Sequence, residues 1–255
     1  YGAARMNDVM AIDLETKNLS TDIGGWGNTH MFLVSTVTTW NGDTGTVYVD
    51  EPVSDSFTKS NVQTKPLREL KFDLDDHLKK GGLLLGHNIV AFDLPVLRDA
   101  MDIYCIRKYI SNKQYIDTSK YFVENYGDRY SLNNLVDHTL GKQKTLNSVD
   151  APRLWKQGEY DIVVDYCLKD SQLVYELWKH GQENNMIKAF SITEEKEIEI
   201  EELVMTTGEV FLWFFFFMII SVLFFAAFGG TSITEDSVEE YINNLIKEDN
   251  PKKRD

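Results

Sequence analysis

The chain has 255 residues, 43% of them hydrophobic and 26% charged, which is enough for one large domain with a full core or two small ones. This composition excludes collagen-like, disulfide-scaffold and wholly disordered classes, and the two cysteines, Cys105 and Cys167, lack the C-x-x-C spacing of a zinc site or a secreted disulfide framework. The net charge of −14 argues against a polyanionic partner only until its distribution is seen: residues 1–190 hold 26 acidic and 21 basic side chains, residues 191–255 hold 14 and 5.

Residues 8–15, 31–40 and 46–49 are rich in Val, Ile, Thr and aromatics and read as three consecutive strands. Gly42-Asp43 sits in the short second connection, as an antiparallel hairpin requires, and the Gly-Gly-Trp-Gly run at 24–27 marks a loop before the second strand. Leu67, Leu70, Leu74 and Leu78 recur at helical spacing, and Gly81 and Gly82 end that helix. A fully apolar strand follows at 83–85, then a helix over 92–101 with Pro95 in its first turn. Further helices are predicted over 131–140, with Ser131 as N-cap, and over 159–185. This alternation predicts an α/β or α+β domain over 1–190. Residues 191–209 read as an acidic connector. Residues 210–230 carry no charge and only Ser221 as a polar side chain. A helix of that length, at about 1.5 Å per residue, spans a bilayer core of roughly 30 Å. This run is read as a single transmembrane helix, leaving 231–255 as a short polar tail.

Three places concentrate carboxylates. Asp13 and Glu15 are two apart at the end of the first strand, so they leave the same face of the sheet and repel unless a cation lies between them. Solvated strand-end carboxylates are the bland alternative. Asp93 lies where the 83–85 strand gives way to a helix, and an N-cap role alone would explain it. Tyr166 and Asp170 stack at i and i+4 on one face of the long helix, a face shared with Ile162, Leu173 and Leu177 that looks buried. A buried Asp needs a partner, either a Lys or Arg or a metal.

In order and spacing, Asp13-x-Glu15-Thr16, Asn88 to Asp93 and Tyr166-x-x-x-Asp170 resemble the three motifs of the DEDD superfamily of 3′-to-5′ exonucleases, in the tyrosine (DEDDy) subtype. Gly24-Gly25-Trp26, Ile116-Asp117-Thr118, Ser131 to Leu135, Leu140-Gly141-Lys142 and Trp155 to Gly158 extend the likeness to a DnaQ-like, YprB-like group of exonuclease domains, found alone or joined to helicase-type proteins. It covers residues 8–190. The resemblance implies a ribonuclease H-like mixed sheet flanked by helices and phosphodiester hydrolysis with two divalent cations. Asp13 would bridge both ions, Glu15 and Asp170 would complete the first site, Asp93 would support the second, and Tyr166 would orient the attacking water. Oxygen ligands without His or Cys suit Mg²⁺ or Mn²⁺. Bound metal would offset the four carboxylates, so the acidic charge no longer excludes single-stranded DNA or RNA as substrate.

Thr16, Asn88 and Phe92, within the same motifs, are expected beside the strand. Lys142 and Lys144, with Arg107, Lys108 and Lys113, are candidates for phosphate contacts or are ordinary solvated cations. Trp26, Trp155 and Tyr130 are stacking platforms or core. His30, His87 and His138 show no metal-ligand spacing and read as structural or solvent-facing. Competing readings are a membrane-anchored nucleic-acid binding module without catalysis, which would not require all four carboxylates, and a two-metal endonuclease, against which Tyr166 speaks. Charge does not orient the span; a nuclease's need for substrate and Mg²⁺ places residues 1–209 in the cytoplasm.

Overall fold

A computed structural model describes residues 9–54, 61–191 and 196–201. The proposed span 210–230 and the tail 231–255 lie outside them; among the described residues no helix is long and apolar enough to cross a membrane.

Strand β1 (Val9–Thr16) turns back into β2 (Val34–Trp40) and β3 (Gly45–Val49) as the expected antiparallel meander. Asn41 closes the β2–β3 turn, its side-chain carbonyl accepting from the backbone N–H groups of Asp43 and Thr44 at 3.0 and 2.8 Å. Strand β4 (Val62–Lys65) joins parallel to β3. Helix α1 (Leu70–Lys79) buries Leu70, Leu74 and Leu78 and leads to β5 (Leu83–Gly86), which runs parallel to β1. Helices α2 (Asp93–Asp99) and α3 (Cys105–Ser111) then reach β6 (Tyr115–Asp117), parallel to β5. Helices α4 (Thr118–Tyr126), α5 (Leu132–Leu140), α6 (Ala151–Lys156) and α7 (Tyr160–Asn184) follow, then the hairpin β7 (Met186–Ser191) and β8 (Lys196–Glu201). The result is an α/β fold with a mixed six-stranded sheet, order β4-β3-β2-β1-β5-β6, flanked by helices.

The period of two in β1 distributes its side chains between two cores. Val9 and Ala11 pack with Leu83, Leu85 and α4, α5 and α7 on one face; Ile12 and Leu14 pack with Leu84 and α1 to α3 on the other. Helix α7 is fixed in register over the sheet by polar contacts inside this packing. The Thr38 hydroxyl meets Ser171 Oγ at 2.7 Å and donates to the Cys167 carbonyl at 3.0 Å, while Cys167 Sγ donates to the Asp13 carbonyl at 3.4 Å. Thr38 is fully buried, so these partners remove what would otherwise be unsatisfied groups.

Three expectations are corrected. The segment 191–209 is not connector throughout: Ser191 ends β7, and 196–201 pairs antiparallel with β7 as β8. Lys-Glu-Ile-Glu-Ile-Glu alternates with the strand period, and charge composition obscured that signal. The outer edge of β7 is covered by side chains of α5: Asn134 exchanges two hydrogen bonds with the backbone of Phe190, and Thr139 two with Lys188. Ile162, expected on the buried face of α7, is exposed. The second strand begins at Val34, because residues 29–31 form a 3-10 turn.

Candidate active site

Asp13 and Glu15 continue the row of Val9 and Ala11, so the strand period that buries those apolar side chains also aims both carboxylates at α7. Asp170 descends from α7 to meet them. One carboxylate oxygen of each of the three lies within 4.8 Å of the others, a buried acidic group that could hold a metal ion. Tyr166, one turn before Asp170, is buried beside them.

Asp93 reaches the group from the opposite side of β1. Pairing with β5 covers β1 only from Val9 to Ala11. Beyond it the Leu14 N–H donates to Asp93 Oδ1 at 3.2 Å. Asp93 is thus the first residue of α2 rather than its cap, and its carboxylate serves the strand.

Asp117 delivers the β5–α2 loop. Its buried carboxylate accepts from Asn88 N at 2.8 Å, Val90 N at 2.9 Å and Lys120 N at 3.1 Å, capping α4 while holding Asn88 in a left-handed conformation, φ +67°. His87 on this loop bonds Thr118 Oγ1 through Nδ1 at 2.8 Å. Burial, followed by the charge of Lys144, lowers its pKa to about 4, so it is neutral at pH 7. His87 is thus tied to the start of α4 through Thr118 and also lines the site.

The four carboxylates form the floor of a cavity of about 670 Å³ that Thr16, Asn88, Phe92, Lys144 and Tyr166 also line. Burial pushes Asp13 and Glu15 well above the usual carboxylate range, and the nearby Asp170 charge pushes both further. Burial takes Asp93 up to about 7, against the hydrogen bonds it accepts from its own and the Leu14 backbone N–H. The Tyr166 phenol is raised by burial first and then by Asp170, Glu15 and Asp13. Asp13 Oδ2, Asp170 Oδ1 and the Tyr166 hydroxyl are buried with no hydrogen-bond partner among the described residues. Burying carboxylates against each other and leaving their oxygens unpaired is costly, and a bound cation removes both penalties at once. The donor set, all oxygen, fits a hard divalent cation.

The basic candidates separate. Lys144 enters the cluster and pairs with Asp170 Oδ2 at 2.5 Å, so the ion pair weighed for Asp170 exists within the same group of carboxylates. Lys142 turns away, pairing with the exposed Glu176, and lines neither this cavity nor a second one that adjoins it through His87, Asn88, Arg129, Lys144 and Val149. Arg107, Lys108 and Lys113 are likewise absent from both linings. Sequence reasoning missed Arg129, which lines both cavities, and the anchoring role of Asp117, whose position before Thr118 and Ser119 carries an N-cap signal.

Of the aromatic candidates, Trp155 is core, packed on Tyr160 at 4.8 Å between centroids, and Tyr130 is buried against Phe122. Trp26 is 67% exposed at the cavity mouth, its ring edge-on to Phe92 at 5.3 Å and tilted against Phe32 at 6.2 Å. Its loop is held by the Asn28 side chain donating to the Ile23 carbonyl, with Gly24 and Gly25 at φ +80° and +120°.

In comparisons with known proteins, the chain matches no family model and no curated protein.

Proposed function

We propose that the protein is a metal-dependent 3′-to-5′ exonuclease that hydrolyses phosphodiester bonds of single-stranded DNA or RNA. The observation that carries this reading is the convergence of Asp13, Glu15 and Asp170, with Asp93 in the same cavity and the buried Tyr166 hydroxyl beside them. The strand order, an antiparallel meander followed by strands parallel to the first, supports a ribonuclease H-like core. Asp13, Glu15, Asp93 and Asp170 would hold two divalent cations, Mg²⁺ or Mn²⁺. Bound there, the cations supply positive charge to a phosphodiester and to its leaving oxygen. Tyr166 holds the attacking water through its hydroxyl, and Asn88, Thr16 and Phe92 line the path of the strand. The test is hydrolysis of linear and circular single strands by the full chain with Mn²⁺ or with EDTA. Shortening of linear strands alone, abolished by EDTA, is expected; cutting of circles would replace the exonuclease by an endonuclease, and activity in EDTA would remove the metal.

Trp26 supplies a platform for the base at the strand end. Exposed aromatic surface held rigidly on two other rings is what stacking on a nucleobase requires, and such stacking is worth about 1–3 kcal/mol per base. Trp26→Ala is therefore expected to raise KM for short strands roughly tenfold to a hundredfold, with a smaller change in kcat, in steady-state kinetics; an unchanged KM would leave Trp26 without a substrate role.

Residues 210–230 anchor the chain in a membrane in this proposal, with the nuclease domain on the cytoplasmic side, where a helicase or another nucleic-acid enzyme would be a natural partner. The protein is expected to stay in the membrane fraction through carbonate and high-salt washes. Release by either wash would remove the anchor, and digestion of residues 1–190 by protease outside intact cells would reverse the orientation.

A further inference from the structure

Lys144 occupies an unusual place for a phosphate-binding lysine. Its ammonium lies 2.5 Å from Asp170 Oδ2 and 5.0 Å from the centroid of the Tyr166 ring, inside the carboxylate cluster rather than above it. Asp170 therefore has one oxygen on a cation and the other, Oδ1, buried and unpaired. Lys144 is carried by the irregular segment between α5 and the turn before α6, tied there by its own N–H donating to Asn133 Oδ1 at 2.9 Å. It also lines a second cavity of about 1030 Å³, which adjoins the first through His87, Asn88, Arg129 and Val149 and is faced by the side chains of Asn133, Gln143 and Asn147. An ammonium on a four-carbon stem is a compact cation with a long reach, able to exchange one anion for another without movement of the backbone.

We propose that Lys144 is a stand-in cation that reserves the metal place at Asp170 until a strand arrives. Without a strand, its ammonium holds Asp170 and leaves room for one divalent ion; a phosphate oxygen entering from the second cavity draws the ammonium off, and the cluster then takes a second ion. The charge balance favours this order. Two divalent ions already match four carboxylates, so Lys144 is in excess beside them until a phosphodiester contributes one further negative charge. This inference rests on the metal-dependent reading above and adds to it a coupling between strand and metal. Such coupling is reciprocal, so the second ion also tightens the strand.

The test counts Mn²⁺ bound to the detergent-solubilised full chain, by electron paramagnetic resonance and calorimetry, with and without a nuclease-resistant phosphorothioate strand. The wild type is expected to bind one Mn²⁺ alone and two with the strand, the second at least about tenfold tighter than in the strand-free protein. Lys144→Met is expected to bind two without the strand, and Lys144→Gln to do the same should the Met variant fail to fold. If the wild type takes two ions equally well with or without the strand, or if a folded variant takes the second no more tightly than wild type, the stand-in role is overturned. A wild type that takes both ions equally well with and without the strand overturns the role even if neither variant folds. Absence of any Mn²⁺ binding in every form would instead overturn the metal-dependent reading itself.

Discussion

Replacing Asp13 with Ala is expected to lower kcat by at least about 10³-fold, because several kcal/mol of transition-state stabilisation are lost with a cation-holding carboxylate and each 1.36 kcal/mol is tenfold. The fold should survive. Asp13 is raised above its ordinary value of 3.8, first by burial and then by Asp170, Asp93 and Glu15, so in the metal-free chain its ionisation opposes folding. The sign follows from linkage: the native state holds this proton more tightly than the unfolded state, so the associated stability falls as pH rises past 3.8 and is lost above the raised native value. At pH 8 the Asp13→Ala chain without metal should therefore melt no lower than wild type, and it should gain less from added Mn²⁺. Wild-type turnover in Asp13→Ala would dismiss the carboxylate cluster as a catalytic centre. A large fall in metal-free melting temperature would mean that Asp13 serves packing instead.

Tyr166→Phe separates chemistry from structure in the same way. The ring is 1% exposed, wedged in α7, and Phe preserves its shape. The hydroxyl is buried among the site's carboxylates, with Asp170 acting on it most strongly, so removing it leaves the apolar packing of the ring intact. If it holds the attacking water, kcat should drop about 10-fold to 1000-fold with KM little changed and the melting temperature equal or higher. An unchanged kcat would leave Tyr166 as core.

How far the sequence reveals this site depends on how local each signal is. The pairing of Asp13 with Glu15 on one face, and of Tyr166 with Asp170 on another, follows from periods of 2 and 3.6 and is legible directly. So are the Leu70, Leu74 and Leu78 stripe of α1 and the Ser131 cap of α5, whose hydroxyl accepts from Asn134 N. Strands β4 and β6 are not legible: Val-Gln-Thr-Lys and Tyr-Ile-Asp are too short to show a period and exist because β3 and β5 offer them an edge. Helix α6, six residues entered through Pro152, falls below the length at which periodicity speaks. The contacts that finish the site are the least local. Asp93 reaches Leu14 across 79 residues of sequence, and Lys144 reaches Asp170 by the return of the chain from α5 to α7. Lys142 and Lys144, two residues apart in one loop, are equivalent in pattern, yet one binds Glu176 on the surface and the other enters the cluster.

The most direct measurement of the central claim follows both ends of one strand. A single-stranded oligonucleotide labelled at each terminus is incubated with the full chain and Mn²⁺, and products are resolved over time. Release of the 3′ label as a mononucleotide, with the 5′-labelled strand then shortening one nucleotide at a time and nothing released in EDTA, is the result expected of Asp13, Glu15, Asp93, Tyr166 and Asp170 acting as a 3′-to-5′ exonuclease centre. Release of the 5′ label first, or a strand left intact with Mn²⁺ bound, would contradict it.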